Sequence, residues 1–291
     1  MEGVTVFGEV LFDCFPTGEK VLGGAPFNVA WHLQAFAQCP RFISCVGKDA
    51  SGDTIRRAMQ GWGMDTNLLQ THASKKTGEV QITLQDGEPT YDIVDQVAYD
   101  YIDASSLADA PHGVLYHGSL ALRHEVSRQA LEKLKSQHPS AVFMDVNLRE
   151  PWWQRDLLLA WVDGADWVKL NEAEFSLLHG GASDPKSAAE AFLQQHHLSG
   201  LIVTRGAQGA MAVMPGQPPV EVAPVKALEV VDTVGAGDAL SSVLLLGLNL
   251  AWPIRQTLER AQGFASALVG RRGATVEDIG FYRPFIDAWK L

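Results

Sequence analysis

The stretch that decides the fold reads Val230-Val231-Asp232-Thr233-Val234-Gly235-Ala236-Gly237-Asp238. Two β-branched residues are typical of the end of a buried strand, the residues at 235–237 carry little or no side chain, and a long apolar run begins at Ala239. A strand, a glycine turn and a helix in this order predict an anion site. The first N–H groups of a helix have no partner within it, the helix dipole adds roughly half a positive charge there, and glycine lets an anion approach closely.

Asp238 needs an explanation at such a site, because a carboxylate repels a bound phosphate. One interpretation is a capping or first-turn acid, which many helices carry. The other is a general base that takes a proton from a hydroxyl group while the helix end binds a phosphoryl group. The spacing alone leaves both interpretations open.

The segment from Asp232 to Asp238 resembles the signature of the PfkB (ribokinase-like) carbohydrate kinases. The resemblance favours the general base and implies that the N–H groups of Gly235, Ala236 and Gly237 stabilise the transferred phosphoryl group. It also places Thr233 among the nucleotide-binding residues. An aromatic residue and a glycine usually follow in the family, and here Leu240 and Val243 stand in their places.

Composition restricts the class of protein and its compartment. The chain of 291 residues is 46% hydrophobic, enough for a sizeable core, and its net charge of −11 argues against a groove for nucleic acid. No apolar stretch reaches membrane-spanning length, and no signal peptide is evident. Cys14, Cys39 and Cys45 lack zinc spacing, so we expect reduced, buried or half-buried cysteines in a cytoplasmic protein with no membrane or nucleic-acid partner.

The N-terminal segment carries the residues that a polyol site needs. Positions 2–8 predict a strand that Val10–Asp13 continues, and a Gly-Gly-Ala-Pro sequence predicts a helix with Asn28 in its first turn. A carboxylate accepts sugar hydroxyls and an amide both donates and accepts, although capping and turn roles remain the alternatives. The resemblance to the family extends to this segment and implies that it binds sugar through Asp13, Gly23, Gly24 and Asn28.

Positions 77–94 change in character, since apolar and polar residues alternate on both sides of Asp86-Gly87. This pattern predicts an antiparallel hairpin in a small sheet set apart from the main one. The resemblance implies a single domain over 1–291, in which strands at about 10–22 and 77–95 form a lid over the sugar. An ordinary edge hairpin is the alternative, and the hairpin is either a lid alone or a homodimer contact.

Polar residues follow three predicted parallel strands, where ligands of such sheets bind. Asp-x-Asn-x-Arg, which ends at Arg149, resembles the fructokinase and 2-keto-3-deoxygluconate kinase branches. This resemblance implies that Arg149 contacts the substrate or the transferred phosphate, whereas an ion pair with an acid such as Glu150 is the alternative. Asn171 and Glu174 fit a helix cap, and they also match the family's Asn-x-x-Glu motif, which implies a place beside Mg²⁺ and the phosphates. The strand ending at Thr204 precedes a glycine turn that resembles the family's nucleotide loop, with Gly206 and Gly209.

We therefore expect an α/β fold with a mainly parallel central sheet, helices on both faces and a small β-sheet lid. The resemblance implies transfer of the γ-phosphoryl group of ATP to a sugar hydroxyl with Mg²⁺, and leaves a K⁺ requirement open. Fructose is the leading acceptor, with 2-keto-3-deoxygluconate and ribose as alternatives. A non-catalytic sugar- or nucleotide-binding regulator on the same fold is the alternative from another class. A dehydrogenase is disfavoured, because the glycine turn lacks the third glycine of a dinucleotide fingerprint.

Overall fold

A computed structural model describes residues 3–85, 88–107, 113–179, 184–224 and 230–291. Nine strands of these residues form one sheet in the order β13-β12-β11-β10-β9-β8-β1-β4-β5. Within this order, every neighbouring pair between β11 and β5 is parallel. The strands are β1 Val4–Phe7, β4 Arg41–Gly47, β5 Leu69–His72, β8 Val114–His117, β9 Ala141–Asp145, β10 Trp167–Asn171, β11 Gly200–Thr204, β12 Ala210–Val213 and β13 Val220–Val222. The last two pair antiparallel at one edge.

Helices cover both faces of this sheet. Successive strand residues point to opposite sides, so Tyr116 joins one core cluster and Leu115 the other. One cluster packs under α1 Ala25–Ala35, α2 Ala50–Gly61, α7 Ala236–Asn249, α8 Ile254–Leu268 and α9 Ile279–Trp289. The other packs under α3 Glu125–Lys135, α4 Arg155–Asp163, α5 Glu172–His179 and α6 Pro185–Gln195. The predicted fold class is confirmed.

A second sheet has the order β3-β2-β6-β7, with β2 Leu11–Cys14, β3 Lys20–Gly23, β6 Gly78–Gln85 and β7 Glu88–Ile93. Two antiparallel hairpins meet through the parallel pair β2–β6, so the prediction of a small separate sheet is confirmed. The predicted turn at 86–87 lies outside the described residues. A homodimer contact through this sheet stays a prediction.

Two local predictions are wrong. Val10–Asp13 does not continue the first strand, because Gly8 adopts a φ of 151° against Pro26 and turns the chain from one sheet into the other. Val230 is not the end of a buried strand, since its side chain is 64% exposed and the loop that follows is held by a bond from the N–H of Val231 to the carbonyl of Val269.

Two further observations concern the cysteines and the helices. Cys39 is exposed, whereas the other two cysteines are buried as expected, and all three are free thiols. Across the described residues, none of the helices is long and apolar enough to cross a bilayer.

Candidate active site

The glycine turn forms the N-terminus of α7. Gly235 is the N-cap residue with a φ of 77°, and the Cα of Ala274 packs so closely against it that a side chain would not fit. The helix begins at Ala236, three residues earlier than the apolar pattern indicates, so Asp238 lies in its first turn. Thr233 is exposed, and its carbonyl accepts the N–H of Ala236. The free N–H groups of this turn can receive an anion.

Asn28 joins the N-terminal segment to this turn. Its backbone N–H donates to Gly24, the N-cap residue of α1, which fixes Asn28 in the first turn of that helix. Its amide Nδ2 donates to Oδ2 of Asp238 over 2.7 Å, across 210 positions of sequence. Asn28 is 4% exposed, and its Oδ1 has no partner among the described residues. The predicted acceptor segment and the predicted base therefore share one site.

The pKa of Asp238 is raised to about 6, mainly because burial disfavours the charged carboxylate. The hydrogen bond from Asn28 works in the opposite direction and lowers this pKa. The charge of Asp145 raises it further, whereas the cations Lys169 and Arg149 lower it. A carboxyl group with a pKa near neutrality can accept a proton in the physiological range, as a general base must.

The other predicted acceptor residues line the same region. Asp13 lies half-buried on β2, with Oδ2 3.6 Å from the position of a Cβ on Gly23. Burial raises the pKa of Asp13, and the charge of Arg149 opposes that rise. Gly24 has a φ of 109°, and a Cβ there would lie 2.8 Å from the carbonyl oxygen of Glu9. Because the backbones at Glu9 and Gly24 approach this closely, only glycine fits at position 24.

Arg149 follows β9 with an exposed side chain. Its charge lowers the pKa of Glu9, Asp13 and Asp238, so its guanidinium group lies near three carboxyl groups. The alternative of an ion pair with Glu150 is not observed. Glu150 accepts the indole N–H of Trp153 over 2.8 Å, and the ion pairs of the described residues do not include Arg149.

Asn171 and Glu174 cap each other at the start of α5. The N–H of Glu174 donates to Oδ1 of Asn171 over 2.9 Å, and the N–H of Asn171 donates to Oε2 of Glu174 over 2.8 Å. The second carboxylate oxygen accepts the N–H of Leu148 over 2.9 Å. Burial raises the pKa of Glu174. The capping interpretation is thus observed, and the same carboxylate ties the loop of Arg149 to the end of β10.

The segment after β11 is the turn of an antiparallel hairpin. Thr204 pairs with Asn171 in the parallel register and donates its hydroxyl to Leu170 over 3.4 Å. The N–H of Arg205 donates to the carbonyl of Gly209 over 2.8 Å, and β12 begins at the next residue. Gly206 and Gly209 have φ angles of 52° and 92°. The tight turn is therefore observed, and it places Thr204 beside Asn171 at the carboxyl edge of the sheet.

Two buried features of the site were missed by reasoning from sequence. Glu9 is 3% exposed, its pKa is raised to about 7 by burial, and its Oε2 has no partner in the described chain. Lys169 and Asp145 form a buried ion pair between β10 and β9. For the ion pair, the available signal was one charged residue in each of two otherwise apolar strands, because a buried charge needs a partner.

A mainly parallel sheet with helices on both faces, a helix N-terminus that can receive an anion and a carboxylate hydrogen-bonded beside it are what a phosphotransferase of the α/β class requires. The model of the pfkB family carbohydrate kinases matches residues 4–279. The chain belongs to this family and is a carbohydrate kinase.

Similar proteins cover nearly the whole chain. A fructokinase of Escherichia coli is 30% identical over an alignment of 292 positions, which covers 93% of this chain and 94% of that protein. A fructokinase of Klebsiella pneumoniae is 32% identical over 84% of both chains. The structure of a double-mutant fructokinase of Vibrio cholerae O395, with bound fructose, ADP and potassium ion, superposes with a TM-score of 0.84 at 25% identity, covering 97% of this chain and 99% of that one.

Proposed function

We propose that this kinase is a fructokinase, which transfers the γ-phosphoryl group of ATP to a hydroxyl group of fructose. The observation that carries the proposal is the bond from Asn28 to Asp238, because it joins a polyol-binding amide to a base at a phosphate-binding helix end. The fructokinases of E. coli and K. pneumoniae, and the fructose and ADP bound in the V. cholerae enzyme, support this acceptor and donor.

The charges at the acceptor site support a neutral sugar. Glu9, Asp13 and Asp238 present three carboxyl groups, and Arg149 is the cation that acts on all three. An acidic acceptor such as 2-keto-3-deoxygluconate would have to enter against these carboxyl groups. A neutral polyol would instead donate its hydroxyl groups to them. In this proposal the sugar is held by Asp13, Gly23, Gly24, Asn28 and Arg149.

The transfer itself needs a base and a charge-stabilising turn. Asp238 takes the proton of the acceptor hydroxyl group while the oxygen of that hydroxyl group bonds to the γ-phosphorus. The bond from the γ-phosphorus to the β–γ bridging oxygen breaks, and ADP is released. The N–H groups of Gly235, Ala236 and Gly237 stabilise the charge on the γ-phosphoryl oxygens, and that of Ala236 gives up its 3.3 Å bond to the carbonyl of Thr233 to do so. Asn28 keeps the pKa of Asp238 from rising further, so that more of the base is ionised at neutral pH.

The nucleotide would lie along the carboxyl edge of β10 and β11. Thr204 and Asn171 are neighbours there, and we assign them to the phosphates together with Thr233, Gly206 and Gly209. The donor set at Glu174 fits Mg²⁺ held through its water molecules, because both carboxylate oxygens already accept one N–H group each and retain further lone pairs. Bound there, Mg²⁺ would neutralise charge on the β- and γ-phosphates.

The test is ATP-dependent release of ADP with Mg²⁺, with and without K⁺, over fructose, ribose, 2-keto-3-deoxygluconate, tagatose and adenosine. We expect the highest kcat/KM with fructose. A higher kcat/KM with another acceptor would change the proposed substrate but leave the assignment as a sugar kinase unchanged. Sugar binding by calorimetry without any turnover would contradict the proposal and favour the non-catalytic regulator.

A further inference from the structure

Lys169 is a buried cation that lies beside the glycine turn at the start of α7. It is 7% exposed on β10, and its Nζ lies 3.0 Å from both carboxylate oxygens of Asp145 on the neighbouring strand β9. Burial opposes its charged form, but the charge and hydrogen bonds of Asp145 prevail and raise the pKa of Lys169. A pair of apolar residues would hold two strands together at least as well, so stability alone does not explain this pair.

Asp145 also reaches the helix that carries the base. Its Oδ2 accepts the hydroxyl of Ser241 over 2.7 Å, and Ser241 lies three residues after Asp238, about one turn further along α7. The hydroxyl of Tyr116 donates to the same oxygen over 3.4 Å. The ion pair therefore fixes α7 to the centre of the sheet.

The ammonium group lies directly against the turn. A Cβ on Gly237, the last residue of the turn, would be 3.2 Å from Nζ of Lys169. The residue at this position is thus in close contact with a cation that is permanently protonated in the working pH range. Charge developing on a transferred phosphoryl group is stabilised most by fixed positive groups in a site with little water.

We propose that Lys169 is a positioning residue for phosphoryl transfer: held by Asp145, its ammonium group fixes the first turn of α7 and places a positive charge behind the N–H groups that receive the γ-phosphoryl group. This inference rests on the proposed function for the place of phosphoryl transfer at the start of α7, and not for the identity of the acceptor. It applies equally to any sugar that the enzyme phosphorylates, so the tests use the best acceptor found in the panel.

Two adjacent serines give a matched comparison. Ser241 donates to Asp145, whereas the equally buried Ser242 donates to the carbonyl of Ala239 within its own helix. Loss of a hydrogen bond to a charged group corresponds to about a 10-fold effect. We expect Ser241→Ala to lower kcat about 10-fold at unchanged KM for the sugar, and Ser242→Ala to keep kcat within about 2-fold. Equal effects of the two substitutions would overturn the link through Asp145.

The charge itself is tested with a single and a double variant. Lys169→Met leaves the Asp145 carboxylate buried without its cation. The melting temperature and the kcat of this variant should therefore both fall. In Lys169→Met/Asp145→Leu the buried charges are gone, and we expect the melting temperature to recover. We expect kcat to stay about 10- to 100-fold below that of the native enzyme, because the positive charge is still missing. Recovery of kcat together with the melting temperature would show that the pair is structural only.

A readout that needs no turnover separates this inference from the proposed function. The Asp238 carboxyl group can be titrated by carbon NMR in the full-length protein. Lys169 lowers the pKa of Asp238 and Asp145 raises it, so Lys169→Met should move that pKa upward and Asp145→Asn should move it downward. Shifts of the same sign in both variants would indicate a general distortion and overturn the assignment, whatever sugar the enzyme phosphorylates.

Discussion

The amide of Asn28 donates to the carboxylate of Asp238 over 2.7 Å, from the first turn of one helix to the first turn of another. The two residues are 210 positions apart in sequence. Each helix begins after a glycine with a positive φ angle, which is 109° at Gly24 and 77° at Gly235. Two glycine turns thus bring the amide proposed to bind the acceptor to the proposed base, and the predictions below begin from that contact.

Asp238→Asn should nearly abolish phosphoryl transfer while the fold remains. The amide keeps the size of the side chain but cannot take the proton of the acceptor hydroxyl. Loss of a general base corresponds to a fall in kcat of about 10²- to 10⁴-fold, or roughly 3–5 kcal/mol of transition-state stabilisation. Steady-state kinetics beside a thermal melt would measure both properties. A variant that keeps native kcat would leave Asp238 with the role of a first-turn acid.

Asn28→Ala should change both sugar affinity and pH dependence. The hydrogen bond from Asn28 lowers the pKa of Asp238, so its removal should move the acidic limb of kcat/KM from near pH 6 to higher pH. The KM for the sugar should rise about 10-fold, since a hydrogen-bonding group is lost, and the KM for ATP should change little. A larger rise in the KM for ATP would place Asn28 on the nucleotide side of the site.

Much of this architecture follows from local patterns. Short apolar runs predict the buried parallel strands, alternation predicts the β6–β7 hairpin, and Gly-x-Gly-Asp before an apolar helix predicts the glycine turn that begins α7. The strand predicted at Val230 fails because β-branched residues also suit an extended loop. There the backbone bonds to the end of α8 instead of to a sheet.

Contacts between distant elements could not be predicted in this way. Asp145 and Lys169 become partners because β9 and β10 are neighbours in register, and that neighbourhood depends on the order of strands in the sheet. The same holds for Glu9, which lies between β1 and β2 and is 3% exposed. Local sequence shows that a charged residue is unusual in an apolar segment, but it does not show what that residue faces.

Glu9→Gln should stabilise the protein more at pH 8 than at pH 4. Burial raises the pKa of Glu9 from 4.5 to about 7, so the folded state loses stability as pH rises from 4.5 toward 7, and the cost stays constant above that. The difference in pKa corresponds to an upper limit of about 3 kcal/mol. Denaturant unfolding of both proteins at the two pH values measures it. An equal difference at pH 4 and pH 8 would show that Glu9 ionises normally.

Gly235→Ala should reduce both stability and kcat. Its φ of 77° is unfavourable for alanine, and the added Cβ would collide with Ala274, so we expect a loss of about 1–3 kcal/mol. Gly263→Ala is the matched control, because Gly263 lies within α8 with no atom within 4 Å of an added Cβ. That variant should gain about 0.5–1 kcal/mol at native kcat. Similar melting temperatures for the two variants would contradict the close packing at the turn.

Glu174→Gln should raise the Mg²⁺ concentration needed for half-maximal activity. The carboxylate is buried at the start of α5 between the N–H groups of Leu148 and Asn171, and loss of a group that holds metal-bound water typically costs about 10-fold or more in metal affinity. Glu172→Gln removes an exposed carboxylate from the same turn and should leave the Mg²⁺ dependence unchanged. Titration of Mg²⁺ at fixed ATP, beside thermal melts, separates the two roles of Glu174. If Glu174→Gln lowers the melting temperature but keeps the native Mg²⁺ dependence, the carboxylate serves as a helix cap alone.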